Sequence, residues 1–349
     1  MALLDKGRSF QLAPLSRFGA IEQQAVALCS VDCIQVLKVP GFEMIFRKEY
    51  SSNRVLDVVL KDGSVWVLLA TSEGVAIETF RDFESYDSAT RQLNVPLRDQ
   101  LDRLYRIGDS VFVTGANARR SLLVSETASQ VVPASQVHSV QAISGTQFSV
   151  VTDVYGTGAV LKIFESKEGS ERVREVAEVS LRDILFAKQL GAQLQIISTD
   201  DEQLFCGKLD VSSRRLVEDM PIEGLSCLFL QRRFKLLGDG WPVYGYPVHG
   251  FSGMVGVDTE ALAIRFCIDF GCRAYDAACC TIGEDTYACY IDEHGVGASW
   301  SGSSALHRNA KDMLALSCSS LGDLNLNNQI FDKTVDDEDR VLRLRQLGL

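Results

Sequence analysis

The side chains in this 349-residue sequence best suited to metal or covalent chemistry are ten cysteines and four histidines. Five of the cysteines come late, Cys267, Cys272, Cys279, Cys280 and Cys289, with His294 five residues beyond the last. A structural zinc site takes paired thiolates about two to four residues apart, usually as two such pairs. Here four residues separate Cys267 from Cys272, whereas Cys279 and Cys280 are adjacent, and neighbours along a strand point to opposite faces. The pattern assigns no metal site. In a reducing compartment the cysteines are expected to be thiols that pack as small hydrophobes. Cys29 and Cys33 flank an expected hairpin turn and could face each other, yet no histidine lies near them in sequence, so they too are assigned to the core.

Nucleophilic catalysis needs a serine or cysteine on a strained turn beside an oriented base. The sequence has no G-x-S-x-G elbow, because Phe251, Ser252 and Gly253 are followed by Met254 where the motif needs glycine. The carboxylate blocks Asp200-Asp201-Glu202 and Asp336-Asp337-Glu338-Asp339 read as solvated turn and tail charge, unlike two acids held apart in one pocket. The segment GTGAVLK at Gly156 has no GK[ST] and lies between expected strands, whereas a phosphate loop needs a helix to follow it. No catalytic residue and no cofactor is assigned.

One basic stretch stands out: Gln231, Arg232, Arg233, Phe234 and Lys235, followed by Trp241, Tyr244 and Tyr246. Arginine beside tryptophan and tyrosine is the composition enriched at binding hot spots. Arg232, Arg233, Phe234, Trp241, Tyr244 and Tyr246 are therefore the candidate partner-binding residues.

The rest of the chain constrains what could position them. With 35 basic against 46 acidic side chains the net charge is -11, a field that repels phosphate backbones, so nucleic acid is not an expected direct partner. Asp5, Lys6 and Arg8 fall inside what would be the apolar core of a secretion signal, and the best apolar run, residues 55–70, is broken by Asp57, Lys61 and Asp62. A cytoplasmic protein without a transmembrane segment is expected.

Short β-branched and aromatic runs are punctuated by Gly and Asp, and one strand–turn–strand pattern recurs. Its clearest copy reads VLDVVL, KDG, SVWVLLA, TSEG, VAIETF from Val55. Others begin at Leu101, His138, Ile184 and Tyr275, with weaker copies near Ala25 and at Leu225 and a leftover fragment from Met313. The turn glycines Gly63, Gly108, Gly145 and Gly191 lie 45, 37 and 46 residues apart. Those intervals fall around the roughly 40 to 50 residues of a four-stranded propeller blade.

The units resemble those of WD-repeat and related β-propellers in spacing and strand pattern, without the Gly-His and Trp-Asp dipeptides; Ser299-Trp300 and Gly240-Trp241 stand nearest. The expected fold is all-β: one seven-bladed propeller of four-stranded antiparallel blades over residues 1–335, its termini sharing a blade, with a charged tail at 336–349. Radial repetition also solves the exposed-edge problem of a long β chain. Two β-sandwich domains dividing near residues 170–174 are the alternative. The adjacent Arg232 and Arg233 resemble the two arginines of phosphoinositide-binding propellers, although Phe234 stands where those have glycine.

Three functions follow as expectations. The leading one is a non-enzymatic scaffold or adaptor, a subunit of a cytosolic complex that binds protein through residues 232–246. The others are an enzyme with a central-channel site, such as a metal-assisted hydrolase, and a peripheral membrane protein that binds phosphoinositides.

Overall fold

Runs such as residues 65–69, VWVLL, are apolar at every position, whereas a strand with one wet face alternates. Such runs require sheets covered on both sides. The computed structural model describes residues 17–226, apart from 23, 40–42, 85, 96–99, 116–117, 155–157, 168, 181–182, 191–192, 201–202 and 214, and beyond 226 the strands named below. Within these residues there is no helix, and the strands form seven antiparallel sheets, five of four strands and two of three.

The first sheet holds β1 (Arg17–Glu22), β2 (Ala25–Cys29), β3 (Cys33–Lys38) and β4 (Glu43–Glu49). The second holds β5 (Arg54–Lys61), β6 (Ser64–Thr71), β7 (Gly74–Phe80) and β8 (Ser88–Gln92). The third holds β9 (Arg103–Ile107), β10 (Ser110–Thr114), β11 (Ser121–Val124) and β12 (Ser129–Val132). The fourth holds β13 (Val137–Ala142), β14 (Gln147–Val154), β15 (Gly158–Glu165) and β16 (Arg174–Val179). The fifth holds β17 (Asp183–Leu190), β18 (Gln193–Asp200), β19 (Gln203–Asp210) and β20 (Arg215–Ser226). Three strands, β21 (Val243–Gly245), β22 (Gly253–Asp258) and β23 (Ala263–Asp269), form the sixth, and β24 (Asp276–Ile282), β25 (Asp285–Asp292) and β26 (Gly295–Ser301) the seventh.

The sheets stack face to face. Val36 and Phe46 of the first pack on Val58, Val67 and Phe80 of the second. The other face of the second, with Val59, Trp66 and Leu68, packs on Leu104, Val111 and Val113 of the third. Phe112 of the third then meets Phe148 and Phe164 of the fourth, and Leu161 and Ile163 of the fourth meet Leu194 and Ile196 of the fifth. The first strands of successive sheets, β1, β5, β9, β13 and β17, stand side by side in that order, and β24 stands beside β1. This is a propeller: stacked four-stranded sheets around an axis lined by their first strands.

Of the glycines that mark turns in the sequence, Gly63 and Gly108 take positive φ and Gly145 does not. Asp62 and Gly63 both adopt positive φ, 50° and 78°, in a two-residue hairpin loop that pairs Lys61 with Ser64. A feature absent from the repeat reading also recurs. In four sheets the first strand carries one extra residue against the second, at Gly19, Leu56, His138 and Leu185, a bulge that bends the strand and raises its twist. Beside the bulge of β5, Asp57 accepts the Val58 N–H at 3.0 Å and, across to the next sheet, the Leu104 N–H at 2.9 Å.

Several expectations need correction. The first sheet takes all four strands from residues 17–49, because β1 supplies the strand missing from the sequence unit. Sharing of a blade between the termini is thus not seen among the described residues. A domain division near residues 170–174 is excluded, since β15 and β16 pair across it within one sheet. The unit placed at residues 225–246 is not one sheet either: Leu225 and Ser226 end β20, and β21 pairs forward with β22. The Met313 fragment and the tail at 336–349 lie outside the described residues.

Gly115 sits where the chain crosses its own backbone: a Cβ there would lie 1.7 Å from the Gln100 carbonyl oxygen. Gly115→Ala is expected to cost about 3 kcal/mol, because main chain rather than a flexible side chain must give way. Gly145→Ala, with nothing within 4 Å of the new atom, is expected to stay within about 0.5 kcal/mol of the parent. Urea unfolding followed by tryptophan fluorescence compares the two directly.

Candidate functional site

Of the residues that the sequence singles out for partner binding, Arg232, Arg233, Phe234, Trp241 and Tyr246 lie outside the described residues. Tyr244 is the central residue of β21, where it stands opposite Val255 of β22. β20 precedes this segment in the sequence. β20 has 12 residues, against four to eight in the other strands of the first five sheets, and it forms the outer edge of its sheet. Its pairing with β19 jumps between Lys208 and Leu209, which makes Val217 an extra, bulged residue. Val217 is 58% exposed and Met220 50%, while Glu218 between them forms an ion pair with Lys208 at 2.7 Å.

Val217 and Met220 do not stand out in the sequence. The bulge puts both out of phase with simple alternation, and Pro221 interrupts the run.

Polar groups are also built in between sheets. Glu78, 7% exposed, accepts the Tyr50 hydroxyl at 2.8 Å from the first sheet's end and the Ser88 hydroxyl at 2.6 Å. Burial pushes the Tyr50 phenol above its ordinary range, and the Glu78 hydrogen bond adds to the effect. Arg91 of β8 donates to the Ser125 and Ala128 carbonyls, at 3.1 and 3.3 Å, at the β11–β12 turn of the next sheet. Gln130 of β12 does the same one sheet on, donating to the Lys167 and Ser170 carbonyls at 2.7 and 2.9 Å. The free edge of β12 is further closed by Val131, which donates to the Glu171 carbonyl at 2.9 Å and accepts from Val173 at 3.2 Å. Along the inner strands, Arg103 hydrogen-bonds to Tyr105, and burial raises the Tyr105 phenol against the pull of that guanidinium. Apart from the Ser88–Glu78 and Arg103–Tyr105 bonds, which lie within one sheet, these groups hold sheets to one another.

The cysteines divide in the same way. Cys29 stands opposite Ile34, one register position off Cys33, so the two thiols point to opposite faces and do not meet. Cys29, Cys33 and Cys206 are buried thiols. Burial raises the Cys33 thiol, and it pushes Cys206 up to about 11, so neither is a thiolate at neutral pH. In the late cluster Cys267 stands opposite Val255, Cys279 opposite Ala288, Cys280 opposite Tyr287 and Cys289 opposite Ala278. Among the described residues no three His, Cys, Asp or Glu side chains form a group able to hold a metal ion, and no helix is long and apolar enough to cross a membrane.

No family model matches the chain, and no curated protein matches it in sequence. Solved structures do. Hsv2 of Kluyveromyces lactis superposes with a TM-score of 0.51 at 10% identity, covering 82% of this chain and 98% of that one. The dihydro-heme d1 dehydrogenase NirN gives 0.53 at 10% identity over 83% of this chain and 65% of its own. Both are β-propellers, and at this identity the likeness extends to fold alone. The N-terminal domain of Nup159 matches more loosely, with a TM-score of 0.45 at 12% identity over 84% of this chain and 90% of that domain.

Two outcomes are expected. Native protein treated briefly with iodoacetamide should show Cys29, Cys33 and Cys206 unmodified by peptide mass mapping, and all three should react in urea. Removing both hydroxyls from Glu78, in Tyr50→Phe with Ser88→Ala, should lower stability by about 3 kcal/mol, because a buried carboxylate loses its donors. Equilibrium unfolding at pH 7 reads the second.

Proposed function

We propose that this propeller is a non-enzymatic interaction scaffold, a subunit of a cytoplasmic protein complex, whose seven sheets close as seven blades. Its partner binds through residues 232–246 together with the outer edge of β20. The observation that carries the reading is the exposure of Val217 and Met220 on an edge strand that runs directly into the basic, aromatic segment containing Arg232, Arg233, Phe234, Trp241, Tyr244 and Tyr246. Methionine and aromatic side chains with arginine are what binding surfaces are enriched in, and a stacked-sheet scaffold presents them at little cost in conformational entropy. The packed sheets supply rigidity, and their rims supply the variable surface.

Affinity purification of the protein from its native source, followed by mass measurement of the intact assembly, tests this. The native protein should travel with a stoichiometric partner. Arg232→Ala with Arg233→Ala and Trp241→Ala should reduce recovery of that partner about tenfold or more, with the unfolding midpoint unchanged. Protein that runs alone at monomer mass across salt conditions overturns the proposal.

A further inference from the structure

Charge in the second and third sheets is segregated between the two ends of the stack. At one end lie the starts of the first strands and the turns that join second to third strands. There the Val31 carbonyl, in the β2–β3 turn, accepts the Val55 N–H at the start of β5 at 2.7 Å, and Asp57 reaches across to the Leu104 N–H at the start of β9. The first residues of the neighbouring strands β5 and β9 are Arg54 and Arg103. Arg119 and Arg120 lie in the β10–β11 turn, which begins where Gly115 meets the Gln100 main chain just ahead of β9.

The acids nearest these arginines are committed elsewhere. Asp57 accepts the Val58 and Leu104 N–H groups, Asp32 of the β2–β3 turn accepts the Ser30 hydroxyl, and one carboxylate oxygen of Asp102 is buried. Glu73, in the β6–β7 turn, is exposed. Arg54, Arg103 and Arg119 are exposed as well, and the bond of Arg103 to Tyr105 uses only part of a guanidinium that carries several N–H donors. The opposite end of the same two sheets has the reverse balance: Asp62, Asp82, Glu84, Asp87, Asp109 and Glu126 outnumber Lys61, Arg81 and Arg106. In a protein of net charge -11 the arginine end is a local exception.

We infer that the arginine end of the second and third sheets binds an extended acidic segment of a protein partner through Arg54, Arg103, Arg119 and Arg120. Guanidinium forks match carboxylates in a bidentate geometry. Because the arginines come from two strand starts and a turn, they offer separate forks to successive carboxylates, as a chain of acids needs. The acidic remainder of the molecule repels the same segment, and that repulsion confines it to this end. This rests on the scaffold reading and names the chemistry of one partner contact.

The probe is a fluorescent acetyl-Glu-Ala-Glu-Ala-Glu-Ala-Glu amide, titrated into the 349-residue protein. It should bind saturably and weaken as sodium chloride rises. Arg54→Ala with Arg119→Ala should weaken it about fivefold or more with the unfolding midpoint unchanged, whereas Arg81→Ala with Arg106→Ala, at the opposite end, should leave binding as it was. Arg54→Ala alone serves if the first pair fails to fold. Sodium sulfate should displace the peptide no better than sodium chloride of equal ionic strength. No binding, equal weakening by the two pairs, full binding by a folded Arg54 variant, preferential displacement by sulfate, or tighter binding of a single-stranded oligonucleotide of equal charge overturns the inference. A stoichiometric native partner without peptide binding would remove only this inference, whereas peptide binding by a protein that is otherwise always alone would remove the scaffold reading.

Discussion

The second strands of the first five sheets are buried on both faces, and neither face can be buried by its own sheet. Trp66 and Leu68 point one way from β6, Val67 and Leu69 the other, and all four are buried, but only because a sheet stands on each side. Burial of that kind is worth roughly 1.5 to 3 kcal/mol for each large side chain. An open row would leave its first and last sheets with a bare face. A closed ring leaves neither face bare, and β24 stands beside β1 as such a ring requires.

The polar features are subordinate to that stacking. Asp57 reaches from one first strand to the backbone of the next, Tyr50 and Ser88 satisfy Glu78, and Arg91 and Gln130 fasten outer strands to the following turn. All of these except the Ser88–Glu78 bond, which lies within one sheet, cross between successive sheets. Together they fix how one sheet sits on the next, which apolar contact leaves loosely determined because it lacks direction. Among the described residues the exposed large apolar side chains are Val31, Met44, Tyr86, Val217 and Met220, and β20 carries two of them.

The sheets were legible in the sequence wherever a pair of apolar runs flanked a short turn marked by Gly or Asp. Asp62-Gly63 marks the β5–β6 hairpin, and the units at Val55, Leu101, His138, Ile184 and Tyr275 are sheets with the strands expected of them. What stayed hidden was non-local or out of phase. β1 has a charged end and a glycine bulge, so RFGAIE carries little period-2 signal and was missed, and with it the completeness of the first sheet. The bulge at Val217 hid the exposed pair of β20, and the opposed faces of Cys29 and Cys33 depend on a register that spacing alone does not set. The basic segment was found from composition, which says what a binding surface is made of but not where the fold puts it.

Ring closure is the claim on which the rest depends, and a distance measurement tests it most directly. Thiol-independent spin labels at Ile21 in β1 and Thr281 in β24, measured by pulsed dipolar spectroscopy, should give one short separation, within about 25 Å once label arms are added to the ~10 Å spacing of stacked sheets. A broad distribution, or a single separation of about 40 Å or more, is what an open row of sheets would give, and it would contradict a closed propeller.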